Sequence, residues 1–142
     1  MNRPQILLAD DHPEMVLVIA HQLGETVTIV GAVQDGVELL SAAEVLKPDV
    51  ILLDIAMPRM NGFEAARRLL AAAPTLRIIF LTVHERPSYV TEAFRLGACG
   101  YVIKSSAQEL PFAIDCVMKG GRFVSSTLRD THPELIPAAP SE

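Results

Sequence analysis

The chain has 142 residues and a formal net charge of −5, and half of its residues are hydrophobic. A chain of this length is expected to form one domain that buries about 70% of the surface exposed when it is unfolded. The acidic balance argues against direct nucleic-acid binding by this chain. Because no apolar run approaches the roughly 20 residues of a membrane span and no signal peptide is recognisable, we expect a cytoplasmic protein.

Strands and helices alternate along the predicted chain. Gln5–Ala9 is an apolar run typical of a strand buried on both faces, and it ends at the paired carboxylates Asp10 and Asp11. Pro13 suits the first turn of the helix that follows. Further strands are predicted at 27–33, 50–53, 77–82 and 100–103, and further helices at 36–46, 62–73, 88–96 and 106–119.

The last predicted helix carries two conflicting signals. The sequence of residues 106–109 matches a capping box, which marks the start of a helix. Pro111 would remove a backbone hydrogen bond five residues later, so either the helix starts later or its first turn is distorted.

Beyond Val124 the hydrophobic periodicity is lost. We therefore expect residues 1–125 to form the domain and residues 126–142 to form a flexible tail or the stub of a linker.

Five strands that alternate with helices predict a doubly wound α/β sandwich, in which right-handed crossovers join a five-stranded parallel sheet. We assume the strand order 2-1-3-4-5, one of the common orders for this architecture. The first and third strands are then neighbours, so Asp10 and Asp11 meet Asp54, which follows the apolar strand 50–53. Ligands bind at this carboxyl edge in open α/β sheets, although Asp54 taken alone could equally cap the following loop.

This group of carboxylates needs a nearby cation to offset the repulsion between its negative charges. Two carboxylates about 4 Å apart repel each other by roughly 4 kcal/mol at an effective dielectric constant near 20. An all-oxygen set suits Mg²⁺, whereas the sequence offers no Cys or His set for zinc. Thr82 and Lys104 end the fourth and fifth strands at the same edge. A metal, a hydroxyl and an ammonium around Asp54 could stabilise a phosphoryl group on its carboxylate.

The residues from 5 to about 125 resemble the receiver domain of two-component response regulators. The resemblance is carried by the order and spacing of Asp10-Asp11, Asp54, Met57-Pro58 with Gly62, Thr82 and Lys104. It implies a flavodoxin-like, CheY-like fold and a protein that is not a turnover enzyme but assists its own phosphorylation and dephosphorylation. Asp54 would then accept a phosphoryl group, in the presence of Mg²⁺, from a histidine kinase or a phosphotransfer protein.

The same resemblance assigns roles to single residues. Asp10, Asp11 and Asp54 would hold Mg²⁺ together with the backbone carbonyl of Ala56. Thr82 and Tyr101 would form a switch: Thr82 moves toward the phosphate, and Tyr101 occupies the space it leaves. The protein-interaction face made by the fourth helix, the fifth strand and the fifth helix would then repack.

The chain departs from the family pattern at several positions. Lys104 is followed by Ser105 where many receivers have proline, which puts the family's cis peptide bond in doubt. Ala56 and His84 occupy positions that tune the lifetime of the phosphate in the family. Residues 97–101 and 120–123 resemble the subfamily that usually continues into a LuxR-type helix-turn-helix. The chain could therefore be the receiver half of a DNA-binding transcriptional regulator whose helix-turn-helix is absent from this chain.

An apolar patch is predicted where the first and last helices cover the same side of the sheet. We expect Val16 and Leu17 on the first helix and Phe112 and Cys116 on the last to support a homodimer. The alternative is that these are scattered surface side chains.

Two other functions fit the sequence less well. A metal-dependent phosphatase acting through an aspartyl intermediate would need a second acid, which the sequence Asp54-Ile55-Ala56 lacks. A dinucleotide-binding site would need glycine in the first turn between strand and helix, and residues 10–13 contain none.

Overall fold

Six parallel strands form one sheet in the computed structural model, which describes residues 3–135. The strand order is β2-β1-β3-β4-β5-β6, so the order predicted for the first five strands is confirmed and a sixth strand is added at one edge. The strands are β1 (Gln5–Ala9), β2 (Thr28–Val33), β3 (Val50–Leu53), β4 (Arg77–Thr82), β5 (Gly100–Ile103) and β6 (Phe123–Val124).

Helices cover both faces of the sheet, as the doubly wound architecture requires. One buried cluster joins the sheet to α1 and α5 through Ile19 and Val117, and the other joins it to α2, α3 and α4. No helix within residues 3–135 is long and apolar enough to span a bilayer. The helices are α1 (Pro13–Leu23), α2 (Gly36–Leu46), α3 (Gly62–Ala72), α4 (Pro87–Leu96), α5 (Leu110–Met118) and α6 (Ser126–Thr131).

Local sequence signals set the starts of these helices. Asp35 caps α2 by accepting a hydrogen bond from the Glu38 N–H at 2.9 Å, and Asn61 caps α3 in the same way. Proline stands in the first turns of α1, α4 and α5, where its missing N–H costs no intrahelical hydrogen bond. Gly97, with a φ of 110°, ends α4 in the left-handed region.

The predicted start of the last helix at residue 106 is wrong. Residues Lys104–Glu109 form a 3₁₀ turn, and α5 begins only at Leu110, with Pro111 in its first turn. The proline conflict is thus resolved by a later start. Glu109 does not complete a capping box, because its carboxylate accepts a hydrogen bond from the Ser126 N–H instead. The described peptide bonds are all trans, including the one between Lys104 and Ser105.

Regular structure continues past residue 125, where the sequence predicted a flexible tail. β6 pairs with β5, and its Phe123 N–H donates to the Cys99 carbonyl at 3.0 Å. α6 follows, and its Leu128 is only 2% exposed within the core cluster. A two-residue strand and a six-residue helix are too short to produce a periodic sequence signal. Residues 136–142 of the predicted tail lie outside the described residues.

Candidate functional site

The carboxyl ends of β1 and β3 bring three aspartates together. The Asp54 N–H donates to the Ala9 carbonyl at 3.0 Å, so the first residue after β3 lies beside the end of β1. The side chains of Asp10 and Asp54 are only 3% and 4% exposed. Carboxylate oxygens of Asp10, Asp11 and Asp54 and a ring nitrogen of His12 all lie within 4.8 Å of one another. Such a group is unstable without a nearby positive charge.

Lys104 supplies positive charge to this cluster. Its Nζ donates a hydrogen bond to Asp54 Oδ2 at 2.9 Å and lies 2.8 Å from Asp10 Oδ2. Burial opposes the charge on the ammonium, but its contacts with Asp10 and Asp54 outweigh this effect and raise the pKa of Lys104. The amine is therefore charged at neutral pH. The Asp54 side chain bonds to Lys104 and caps no backbone N–H within the part of the chain described, which disfavours the simple capping role.

The donor set fits a hard divalent cation. Two buried oxygens, Asp10 Oδ2 and Asp11 Oδ1, have no hydrogen-bond partner within residues 3–135. Lys104 contacts the first of them only as an ion pair, without the angles of a hydrogen bond. Buried carboxylate oxygens that lack partners are costly, and three carboxylates outnumber the single lysine. Oxygen ligands with room for water are the set that Mg²⁺ prefers.

His12 lies closer to this site than its sequence context suggested. Its Nδ1 is 3.1 Å from Asp10 Oδ1 and 3.0 Å from Asp11 Oδ1, and its backbone N–H donates to Asp10 Oδ1 at 2.9 Å. From the sequence alone, His12 is predicted to be a local cap or a surface residue, and it does stand at the N-cap position of α1 with an exposed side chain. Its position directly after the two aspartates was the signal that could have placed it beside them.

Thr82 and Tyr101 lie in adjacent strands, Thr82 at the end of β4 and Tyr101 within β5 opposite Phe80. Thr82 is fully buried at the last position of β4, opposite Ile103 of β5, and Lys104 follows directly. The Thr82 hydroxyl accepts a weak hydrogen bond from the His84 N–H at 3.4 Å. Tyr101 is also fully buried, and its hydroxyl donates to the His84 carbonyl at 2.8 Å. Both residues therefore contact the backbone of the same loop residue, with the tyrosine ring already inside the protein.

The residues of the predicted dimer patch divide by exposure. Leu17 and Phe112 are each 73% exposed, whereas Val16 and Cys116 are partly buried. α1 and α5 do cover the same side of the sheet, because both contribute to one core cluster. The neighbouring Val18 adds exposed apolar surface at 45%. The role of this patch in a dimer remains a prediction.

The sequence analysis did not predict one further ion pair near the site. Arg59, in the loop that follows Asp54, forms an ion pair with Asp35 at the start of α2. The two residues are 24 positions apart, so only the packing of α2 against this loop brings them together.

Comparisons of the sequence and of the structure with known proteins all identify the same family. The family model of the response regulator receiver domain matches residues 6–115. Response regulator GacA of Pseudomonas aeruginosa is 36% identical over 124 residues, which cover 85% of this chain. Since those residues cover 58% of GacA, the chain spans little more than half the length of this curated relative.

Solved structures agree with this family match. The crystal structure of a LuxR-family two-component response regulator from Aurantimonas sp. SI85-9A1 has a TM-score of 0.88 and 28% identity, covering 94% of this chain and 97% of that one. The isolated REC domain of RcsB from Salmonella enterica serovar Typhimurium, solved in the presence of the phosphomimetic BeF3−, has a TM-score of 0.83 and 27% identity. It covers 96% of this chain and 100% of that domain.

Proposed function

Because this chain belongs to the response regulator receiver domain family, we propose that it accepts a phosphoryl group on Asp54 and converts this event into a change of a protein-interaction face. The observation that carries the proposal is the contact between Asp54 and Lys104, inside a cluster of carboxylates in which two buried oxygens accept no hydrogen bond within residues 3–135. A buried carboxylate beside one ammonium and further carboxylate oxygens is suited to phosphoryl transfer.

The transfer would proceed by attack of an Asp54 carboxylate oxygen on phosphorus. A new O–P bond forms as the P–N bond of a donor phosphohistidine breaks, and the leaving imidazole keeps the electron pair and takes a proton from solvent. Charge neutralisation and positioning are the main requirements of this reaction. Lys104 would neutralise part of the charge on the phosphoryl oxygens, and its contact with Asp54 supports that role.

Asp10, Asp11 and Asp54 would hold Mg²⁺ together with the Ala56 carbonyl. The bound ion would supply further neutralisation of the phosphoryl oxygens. This assignment is supported by the buried oxygens of Asp10 and Asp11 that accept no hydrogen bond within residues 3–135. In this scheme the chain acts as phosphoacceptor and assists its own phosphorylation and dephosphorylation, and it turns over no separate substrate.

Thr82 and Tyr101 would transmit the change. Phosphorylation adds roughly two negative charges at Asp54, and the buried Thr82 hydroxyl would turn toward the new oxygens. That movement would alter the contact of Thr82 with the His84 backbone, to which Tyr101 is also bonded. The face formed by α4, β5 and α5 would respond, and it would bind the output partner.

The phosphoryl donor would be a sensor histidine kinase or a phosphotransfer protein.

The second candidate function is the receiver half of a DNA-binding transcriptional regulator. It is supported by the LuxR-family regulator among the structural relatives and by the chain's coverage of only 58% of GacA. In either role the α1–α5 patch of Val16, Leu17, Phe112 and Cys116 would support a homodimer.

Intact-mass measurement after incubation with Mg²⁺ and acetyl phosphate tests the proposal. Wild-type protein should gain one phosphoryl mass, and the gain should vanish in Asp54→Asn and in the absence of Mg²⁺. Asp115→Asn is the matched control, because Asp115 is an exposed carboxylate that pairs with Lys119 on α5. Full phosphorylation of Asp54→Asn would contradict the assignment of the phosphoacceptor.

A further inference from the structure

The loop between β3 and α3, residues 54–61, is tied to the start of α2 by one ion pair. Arg59 donates to Asp35 Oδ2 from Nε at 3.2 Å and from a terminal guanidinium nitrogen at 2.9 Å. The other oxygen of Asp35 caps α2 by accepting from the Glu38 N–H. Within residues 3–135, the two bonds from Arg59 to Asp35 are the only side-chain hydrogen bonds that join residues 55–60 to another segment.

The charged state of the pair follows from its surroundings. The Glu38 N–H stabilises the Asp35 carboxylate, and Arg59 adds to this against the opposing effect of burial, so the pKa of Asp35 is lowered. The carboxylate is therefore ionised at neutral pH. Arginine is charged under all ordinary conditions, so both members of the pair are charged at neutral pH.

Backbone packing leaves this loop little freedom at either end. A Cβ at Gly36, the first residue of α2, would lie 2.5 Å from the Met60 carbonyl oxygen. A Cβ at Gly62 would overlap the Asp54 carbonyl oxygen, and the Gly62 N–H donates to the Ile55 carbonyl at 2.7 Å. The loop is therefore packed between α2 at one end and the backbone of Asp54 at the other.

Arg59 combines this contact with an unfavourable backbone conformation. Its φ of 65° lies in the left-handed region, which glycine adopts freely and a residue with a Cβ does not. Arginine at this position therefore carries a cost in backbone conformational energy, and it forms the bond to Asp35. A residue that served only to close the turn would favour glycine.

We propose that Arg59 is a positioning residue, whose ion pair with Asp35 fixes the loop after Asp54 in the conformation that binds Mg²⁺. The loop contains Ala56, an exposed residue whose backbone carbonyl is assigned to the metal. This inference rests on the proposed function, because it assigns a role within the same site. Partners that orient metal ligands contribute to affinity without touching the ion.

Calorimetric titration with Mg²⁺ tests the role of Arg59 without any phosphodonor. Arg59→Gln should weaken Mg²⁺ binding by about tenfold, at the low end of what outer partners of metal ligands contribute. Phosphorylation by acetyl phosphate should need correspondingly more Mg²⁺ for its half-maximal rate, with the rate at saturating Mg²⁺ unchanged. Arg59→Lys should restore part of the affinity, because it keeps the charge but not the two-nitrogen contact.

Two further variants separate the ion pair from a general loss of structure. Asp35→Asn keeps a good cap for α2 but weakens the ion pair, so it should lower the affinity as Arg59→Gln does, and the two changes together should add nothing. Arg59→Gly relieves the backbone, so wild-type affinity in that variant would overturn the proposal. Arg67→Gln is the control, because it removes an exposed ion pair on α3 away from the site.

The outcomes distinguish this inference from the function on which it rests. If wild-type protein neither binds Mg²⁺ nor gains a phosphoryl group, the proposed function is wrong and the inference falls with it. If the wild type does both and Arg59→Gln binds Mg²⁺ equally well, only the positioning role is overturned.

Discussion

Lys104 Nζ lies 2.8 Å from Asp10 Oδ2, so the ammonium contacts a proposed metal ligand as closely as it contacts the proposed phosphoacceptor. One lysine thus partly neutralises carboxylates from two different strands, β1 and β3. A divalent cation that enters this cluster meets the lysine as a like charge. Lysine and metal are therefore expected to compete for Asp10 while both assist the transfer to Asp54.

Replacement of Lys104 should separate these two effects. Lys104→Met should bind Mg²⁺ several-fold more tightly, because a like charge next to the ion is removed. The same variant should be phosphorylated about 100-fold more slowly, as expected for the loss of one group that stabilises transition-state charge. Calorimetry measures the first effect and an intact-mass time course the second. Lys119→Met, at an exposed lysine, should change neither, and weaker Mg²⁺ binding by Lys104→Met would refute the competition.

The stability of the protein should fall at alkaline pH through Tyr101. Burial raises the pKa of this phenol above its usual value of 10.0, with smaller contributions from Tyr89 and Asp54. Above pH 10 the unfolded chain has lost this proton and the folded protein has kept it, so the free energy of unfolding decreases as pH rises. The raised pKa of Lys104 acts in the same direction above pH 10.5.

Tyr101→Phe tests this dependence. The variant should lose about 1 kcal/mol at pH 7, because the hydrogen bond to the His84 carbonyl is gone. Its stability should then decline less than that of the wild type between pH 9 and pH 11, as measured by urea unfolding. Tyr89→Phe removes the only other tyrosine and its small contribution to the pKa of Tyr101, so it should leave most of the alkaline decline in place. Equal alkaline slopes for wild type and Tyr101→Phe would show that Tyr101 titrates normally.

Ser125 should be important for attaching residues 123–135 to the sheet. Its buried hydroxyl accepts a hydrogen bond from the Ile103 N–H at 2.8 Å, next to the start of the Lys104 turn. Ser125→Ala leaves that N–H buried without a partner, which should cost about 1–3 kcal/mol. Hydrogen exchange at the Ile103 amide should accelerate as well. Ser126→Ala, one position on, should preserve both stability and exchange, and equal effects in the two variants would argue against a specific bond.

The α1–α5 patch should control self-association if it forms the dimer. Phe112→Asp places a charge on the exposed apolar surface, so sedimentation should shift toward monomer at concentrations where the wild type is dimeric. Val45→Asp is the matched control, since Val45 on α2 is 79% exposed and lies outside the patch. A dimer that survives Phe112→Asp would rule out this surface.

The sequence by itself determined the order of elements and the site residues that end strands. Short apolar runs that stop at Asp10, Asp54 and Lys104 predict buried parallel strands, and the carboxyl edge of such a sheet collects whatever follows each strand. The last predicted element failed for a local reason. The pattern of residues 106–109 competed with Pro111, and the proline prevailed because a helix tolerates proline in its first turn but not in its interior.

Only the tertiary structure decided the contacts between segments far apart in the chain. The pair of Asp35 and Arg59, the bond between Ser125 and Ile103 and the burial of Leu128 all depend on how elements pack, and none leaves a periodic signal in the sequence. Periodicity reports which face of an element is buried, whereas partners are chosen by geometry in three dimensions. The residue types at this site could therefore be predicted from the sequence, whereas the contacts between distant segments could not.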